Sequence, residues 1–343
     1  MGRLDDYRTA MLVADPAVSS DALERALDNS HAEFDVFVIA HGLGPLWYAR
    51  TGRREFKESR LTAEAMYMAQ KAALRDVDIA LSKEGLDYAV IKGAATREIS
   101  YDPPALRSCH DIDLIVARDD KLHAARSLVA AGFEATPIAR SISRELVLSR
   151  TDAEIDLHWG LLREGRLRYE DVPAMLSRRV ERSGVWILDN DDSLKLALVH
   201  PAFAKHLAGW DLGLHRVVDI VRFLSDESFD WPTVRDWLWQ NGVSSAAWAT
   251  LRWTQILTEP QKIPDLENML SDLYPGKIRA GWLDFWLKGD LSARFADKHV
   301  LRLAGLSPFL HDEFGDVIRA YRGRRQARKR SSEDLALFAD LIS

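Results

Sequence analysis

Cysteine is almost absent from this chain. Only Cys109 is present among 343 residues, so no intrachain disulfide and no multi-cysteine zinc site can form, and a reducing, cytoplasmic setting is expected. Long apolar runs are missing as well. The most apolar early stretch, residues 34–49, is interrupted by Asp35, His41, Gly42, Gly44 and Pro45, which excludes a membrane span there. The first residues, MGRLDDYRTAMLVADP, carry charges where a secretory leader is apolar, so no targeting segment and no membrane partner are expected. Excess positive charge is lacking too. Lys+Arg number 46 against 52 Asp+Glu, a net charge of -6, so no global basic field draws the chain to nucleic acid. No Gly-x-x-x-x-Gly-Lys-Ser/Thr phosphate loop, no His-Glu-x-x-His zinc helix and no Gly-x-Ser-x-Gly elbow occurs. No Gly-x-Gly-x-x-Gly follows a strand-like run, which argues against a dinucleotide fold.

What is present is the composition of a globular chain. With 47% hydrophobic and 29% charged residues, a disordered chain, a collagen and a coiled-coil rod are all excluded. At roughly 150 residues per domain the length suggests about two domains. Seven of the eleven tryptophans lie between Trp231 and Trp286, and large rings at irregular helical spacing are expected to anchor helix packing.

The pattern along the chain is helix, then sheet, then helix. Residues 1–85 read as a helical region, with a turn at residues 42–45 and a strong amphipathic pattern over residues 61–86. From about residue 86 to 188 the signals mix. Residues 88–92 and 111–116 read as strands, 119–131 as a helix stopped by Gly132, and 144–149 with 154–159 as a hairpin. Residues 189–343 turn helical again, with Pro201 expected to kink one helix, a second helix over 211–224 and a loop at 259–264. The expected class is α+β, a small mixed sheet flanked by helical regions.

Chemistry concentrates in the middle third. Asp111 and Asp113 sit two apart on a predicted strand, so both carboxylates share one face, roughly 6.5–7 Å apart along the backbone. Ile112 and Leu114 then point into the core. Like charges on one face cost stability unless a cation lies between them, and Mg²⁺ favours such oxygen ligands. Glu154, Asp156 and His158 form another one-sided row on the later hairpin strand. If that strand lies beside residues 111–116, Asp156 completes a cluster of three carboxylates able to hold two metal ions about 3.5–4 Å apart. One ion would activate an attacking hydroxyl and the other would neutralise a triphosphate. Lys92 and Gly93 follow a strand, where a glycine and a new helix N-terminus favour phosphate. Arg107, four residues before Asp111, reads either as a triphosphate contact or as a surface arginine. His158 and Trp159 are candidates for lining a base or acceptor pocket, and His200 and Lys205 for a helix covering a nucleotide, with Lys205 reaching phosphate. Cys109 reads as a small filler.

These pieces in this order, Lys92-Gly93, Tyr101 to Arg107, Asp111 to Val116 and Glu154 to Trp159, resemble the uncharacterised nucleotidyltransferase family of the polymerase-β-like superfamily. The helical lead-in with His41-Gly-Leu-Gly-Pro-Leu46 and the stretch Leu196 to His200, Trp210 and Val217 to Asp219 are similar to that family as well. The resemblance implies a polymerase-β-like core in which Asp111 and Asp113 match the metal-binding pair, Asp156 the third carboxylate and Gly93 the glycine turn. Two departures stand out: Gly-Ala replaces the usual Gly-Ser, removing a hydroxyl from the phosphate cradle, and eighteen positions separate Gly93 from Asp111. The expected function is Mg²⁺- or Mn²⁺-dependent transfer of a nucleoside monophosphate from a nucleoside triphosphate, ATP among them, to a hydroxyl of a small molecule or peptide. Two alternatives stand beside it. One is a toxin-like transferase acting on tRNA or protein, guided by the basic run at residues 322–330. The other is an inactive nucleotide-binding module.

Overall fold

The computed structural model describes residues 3–136, 144–207, 213–226, 228–259, 263–295 and 298–341. Its centre is set by two short apolar runs. The strand β1 (Tyr88–Ile91) and the strand β2 (Ile112–Val116) are buried along their whole length, as strands covered on both faces must be. They pair antiparallel, with Ile91 opposite Asp113. The remaining strands are β3 (Glu134–Thr136), β4 (Glu145–Arg150), β5 (Ala153–His158), β6 (Val180–Arg182) and β7 (Val185–Ile187). Among the described residues these seven form one mixed sheet in the order β3-β4-β5-β2-β1-β7-β6. The β2–β5 and β1–β7 pairs are parallel and the others antiparallel.

The class is α+β, with helices before and after the sheet. The expected hairpin is β4–β5, closed by the two residues Thr151 and Asp152. The strands β3, β6 and β7 escape the sequence pattern because three residues are too few to show a period of two. Residues 42–45 do not form a single turn. Gly42 takes a left-handed φ of 73°, and Gly44 already opens the Gly44–Thr51 helix with Pro45 in its first turn, where a missing N–H costs nothing.

The Lys57–Lys83 helix buries Ala63, Gln70, Ala73, Leu74, Val77 and Leu81, a stripe at three- and four-residue steps that packs toward the sheet. The Lys92–Ser100 helix lies against β1, β2 and the Leu214–Asp226 helix. The Asn190–Lys205 helix starts behind Asp189, whose side chain accepts from the Asp192 amide at 2.8 Å, and keeps Pro201 inside it. It packs on the Ser244–Thr258 helix, which is buried on nearly every side. One contiguous apolar core joins the sheet to both helical parts. Trp47, Trp159, Trp248, Trp253 and Trp286 are buried in it, while Trp239 and Trp282 keep 49% and 37% exposure. Anchoring therefore explains some of the rings but not all. Trp210 and part of the expected loop at 259–264 lie outside the described residues.

Candidate active site

The parallel pairing of β2 with β5 brings the acids together. In this register Asp113 stands beside Asp156, and Ile115 beside His158. The antiparallel neighbour β4 places Glu145 opposite His158. Because side chains alternate along strands, Asp156 and His158 present the same face, and Asp113 joins them from the next strand. Ligand atoms of Asp113, Asp156 and His158 lie within 4.8 Å of one another.

The two carboxylates sit in different electrostatic surroundings. Asp113 is 5% exposed. Its Oδ1 accepts from Lys92 Nζ at 2.5 Å and pairs with His158 Nε2 at 2.8 Å, and Lys92 Nζ lies 3.0 Å from His158 Nε2. Burial alone would push the Asp113 carboxyl up, but the Lys92 ammonium and the His158 hydrogen bond outweigh it and hold it well below the usual carboxylate range. Asp156 forms no ion pair among the described residues. Burial, then the charges of Asp113, Glu145 and Asp111, push its carboxyl up to about 7. The other ring nitrogen of His158 faces Glu145 Oε2 at 3.5 Å.

Asp111 is placed differently from the expected three-way cluster. It lies one residue before β2, where pairing with β5 has not begun, since the first pair is Ile112 with Ile155. It lines the same cleft but stands outside the tight group of ligand atoms. Glu154 is exposed at the far end of β5.

The strand-to-helix junction is also more specific than a glycine turn. The left-handed residue there is Lys92, with φ of 55°, a conformation that costs a non-glycine residue energy unless its surroundings hold it. Its side chain is held by Asp113 and His158. Gly93 serves close packing instead. A Cβ at Gly93 would lie 2.9–3.0 Å from the Arg107 guanidinium. Arg107 is buried and donates to Asp219 at 2.8 and 3.2 Å, while Tyr101 Oη donates to the same carboxylate at 2.7 Å. Desolvation disfavours the Arg107 charge, yet the Asp219 carboxylate more than offsets it and raises its pKa. Arg107 is thus an internal anchor between the lead-in to β2 and the Leu214–Asp226 helix. Gln70 steadies the same lead-in by donating to the Cys109 and His110 carbonyls at 3.0 and 3.1 Å. Cys109 is buried, and burial pushes its thiol up, as suits a filler.

A second wall closes the cleft, which has a volume of about 250 Å³. His200, Phe203 and Lys205 from the Asn190–Lys205 helix face it, with Arg216 from the Leu214–Asp226 helix and Arg163 and Arg166 from the segment after β5. Lys205 lines the cleft from the end of its helix. Burial, then the Lys92 and Arg216 charges, hold the His200 pKa well below its usual value. Trp159 is buried among apolar groups, its ring 5.6 Å from that of Phe338, with Lys121 over its face at 4.9 Å. Arg216, Arg163, Arg166 and Glu145 carried no sequence signal. They come from separate segments, and only the fold gathers them.

A sheet whose central strands carry facing acids, capped by a basic helical wall, is found here over the stretch that a known family covers. Residues 41–259 match the sequence profile described as uncharacterised nucleotidyltransferase. The chain belongs to this nucleotidyltransferase family. Among curated proteins none matches the chain. Nucleotidyltransferases of this kind call for a divalent cation, and the donors present fit one. Asp113 and Asp156 offer the hard oxygens Mg²⁺ prefers, and the His158 imidazole also suits Mn²⁺. The raised pKa of Asp156 marks an acid pair that local cations leave under-neutralised. Lys92 and His158 both engage Oδ1 of Asp113.

Proposed function

We propose that this nucleotidyltransferase moves a nucleoside monophosphate from a nucleoside triphosphate, ATP among them, to a hydroxyl of a small molecule or peptide, and that it uses Mg²⁺ or Mn²⁺. The observation that carries this reading is the Asp113–Asp156 register across β2 and β5, with Asp156 left without an ion pair at the cleft. Asp113, Asp156 and His158 would hold the cation, with Asp111 beside them on the cleft wall. A bound divalent ion supplies positive charge to the triphosphate and acidifies the attacking hydroxyl.

The chain's own groups do the rest. Lys92 and Arg216 line the cleft beside Gly93 and the start of the Lys92–Ser100 helix, which suits the β- and γ-phosphates. Lys205 lines the same cleft. Asp156, a carboxylate once the ion displaces its proton, takes the proton of the acceptor hydroxyl on the oxygen that would not hold the ion. The hydroxyl oxygen bonds to the α-phosphorus while the bond from that phosphorus to the pyrophosphate oxygen breaks. The pyrophosphate leaves toward Lys92 and Arg216. Positioning and charge neutralisation carry the rate, and no covalent intermediate with the protein is needed.

Calorimetry with Mn²⁺ and each nucleoside triphosphate tests this directly. The parent should bind the metal–nucleotide pair, and Asp113→Asn should weaken it at least tenfold. Asp156→Asn should abolish transfer without lowering the circular dichroism melt. Equal metal–nucleotide binding by parent and Asp113→Asn, or turnover by Asp156→Asn, would remove those acids from the mechanism.

A further inference from the structure

The far end of the cleft holds cations that the transfer step does not use. Arg163 and Arg166 stand on the segment that follows β5 and line the cleft. The segment is fastened firmly. Arg144 donates to the Glu170 carboxylate at 2.5 and 2.9 Å, and the Leu161 amide donates to it at 2.6 Å. Arg168 donates to Asp316 at 2.8 and 2.7 Å, and the Tyr169 amide to Asn241 at 2.9 Å. Arg166 donates to Ser307 Oγ at 2.9 Å and to His311 Nε2 at 3.1 Å, and lies over the Phe203 ring at 4.9 Å.

None of these partners of Arg166 is an acid. Arg163, Arg166 and the adjacent Arg324 form no ion pair among the described residues, and Arg324 Nε is buried without a hydrogen-bond partner. Burial and then the Arg324 charge lower the Arg163 pKa. Burial and then the Arg163 charge lower that of Arg166 to about 10. Three neighbouring guanidinium groups with no carboxylate in ion-pair contact, Glu145 acting on Arg163 only from farther off, are costly, and an anion of more than one charge relieves that cost. Guanidinium forks match phosphate oxygens in particular.

This cluster is distinct from the cations assigned to the triphosphate. Lys92, His200 and Arg216 line both the cleft and the small cavity that holds Gly93 and Arg107, whereas Arg163 and Arg166 line the cleft but not that cavity, and Arg166 also borders a pocket with Arg324. Arg216 feels Arg107, Asp219 and Asp113, while Arg163 feels Arg324 and Glu145. The cations of the cleft therefore fall into two sets with different neighbours, and the acids lie in the same cleft. In an in-line displacement the attacking oxygen enters opposite the leaving group, so if pyrophosphate departs toward Lys92 and Arg216, the other cluster lies on the acceptor's side.

We propose that the acceptor is a small molecule bearing a phosphate group, held by Arg163 and Arg166 with Arg324 behind them, its hydroxyl directed at the α-phosphorus. This assignment rests on the transfer reading above. The probe is inorganic phosphate, titrated calorimetrically into the whole chain saturated with Mn²⁺ and a triphosphate whose α–β bridging oxygen is a methylene. One phosphate site is expected. Arg163→Gln should weaken it at least tenfold while nucleotide affinity stays within twofold. Arg166→Lys, which keeps the charge but loses the fork, should weaken it less, with an unchanged circular dichroism melt for both. Three results overturn the assignment alone: no phosphate site in the presence of nucleotide, phosphate competing with the nucleotide, or Arg163→Gln weakening the nucleotide tenfold. Nucleotide binding indifferent to Asp113→Asn would instead remove the transfer reading, and the acceptor assignment with it.

Discussion

Asp156 shows how one position can set a pH profile. Its carboxyl is pushed up to about 7 by burial and by neighbouring acids, so the metal-free fold favours the protonated form. The sign follows from linkage. An acid with a raised folded-state pKa adds stability at low pH and loses it as pH rises from its unfolded value of 3.8 through about 7. A divalent ion needs the carboxylate, so its binding displaces that proton. Mn²⁺ affinity should therefore rise with pH up to about 7, by as much as about tenfold per unit, and level off above it. In Asp156→Asn the affinity should be weak and flat over the same range. A steep rise retained in that variant would assign the titration to another group. The residue-scale signal was legible for Asp156 and His158, because a two-residue spacing on a strand fixes a shared face, whereas the same spacing paired Asp113 with Asp111, which lies before β2 and outside the group. It was not legible for Lys92. The run Ile91-Lys92-Gly93 suggests a phosphate turn, whereas the lysine's bond to Asp113 depends on strand pairing across 21 residues.

At the scale of elements, the site depends on how β1, β2 and the Leu214–Asp226 helix are tied together. The Arg107–Asp219 pair, with Tyr101, is buried. Asp219→Asn removes the charge and strands a buried guanidinium, which should cost about 3–5 kcal/mol in denaturant unfolding. A change under ~1 kcal/mol would show the pair to be replaceable by solvent. Gly93→Ala presses a methyl group against Arg107 at 2.9–3.0 Å. Since Arg107 is fixed by Asp219, roughly 1–3 kcal/mol of stability should be lost. Arg107→Lys in the same chain should recover part of it, because the clash is with the guanidinium. Here the helices and longer strands were readable from periodicity, but β3, β6 and β7 were not, since three residues carry no detectable period.

The whole molecule offers a discriminator between acceptor classes. The basic run at residues 322–330 lies on the Phe314–Leu337 helix. Arg322, Arg325, Arg328 and Lys329 are exposed, Gly323 and Ala327 are buried, and Arg330 pairs with Glu164. An RNA acceptor using those four exposed cations should lose affinity about fiftyfold between about 50 and about 200 mM salt. A small acceptor bound in the cleft should lose far less, and saturation curves at the two salt concentrations measure the difference. Steep salt dependence would favour the RNA reading. The net charge of -6 leaves this helix as a local patch against an acidic whole.

By itself the sequence determined the class of fold and the identity of the facing acids. Apolar runs, alternation and helical stripes are local properties, and so is the two-residue spacing that aims side chains one way. Only the tertiary structure decided which charges meet. It set Lys92 on Asp113, left Asp156 without a counter-ion, turned Arg107 inward to Asp219 and gathered Arg163, Arg166 and Arg324 from segments far apart in the chain. Electrostatics depends on distance in space and on burial rather than on order along the backbone.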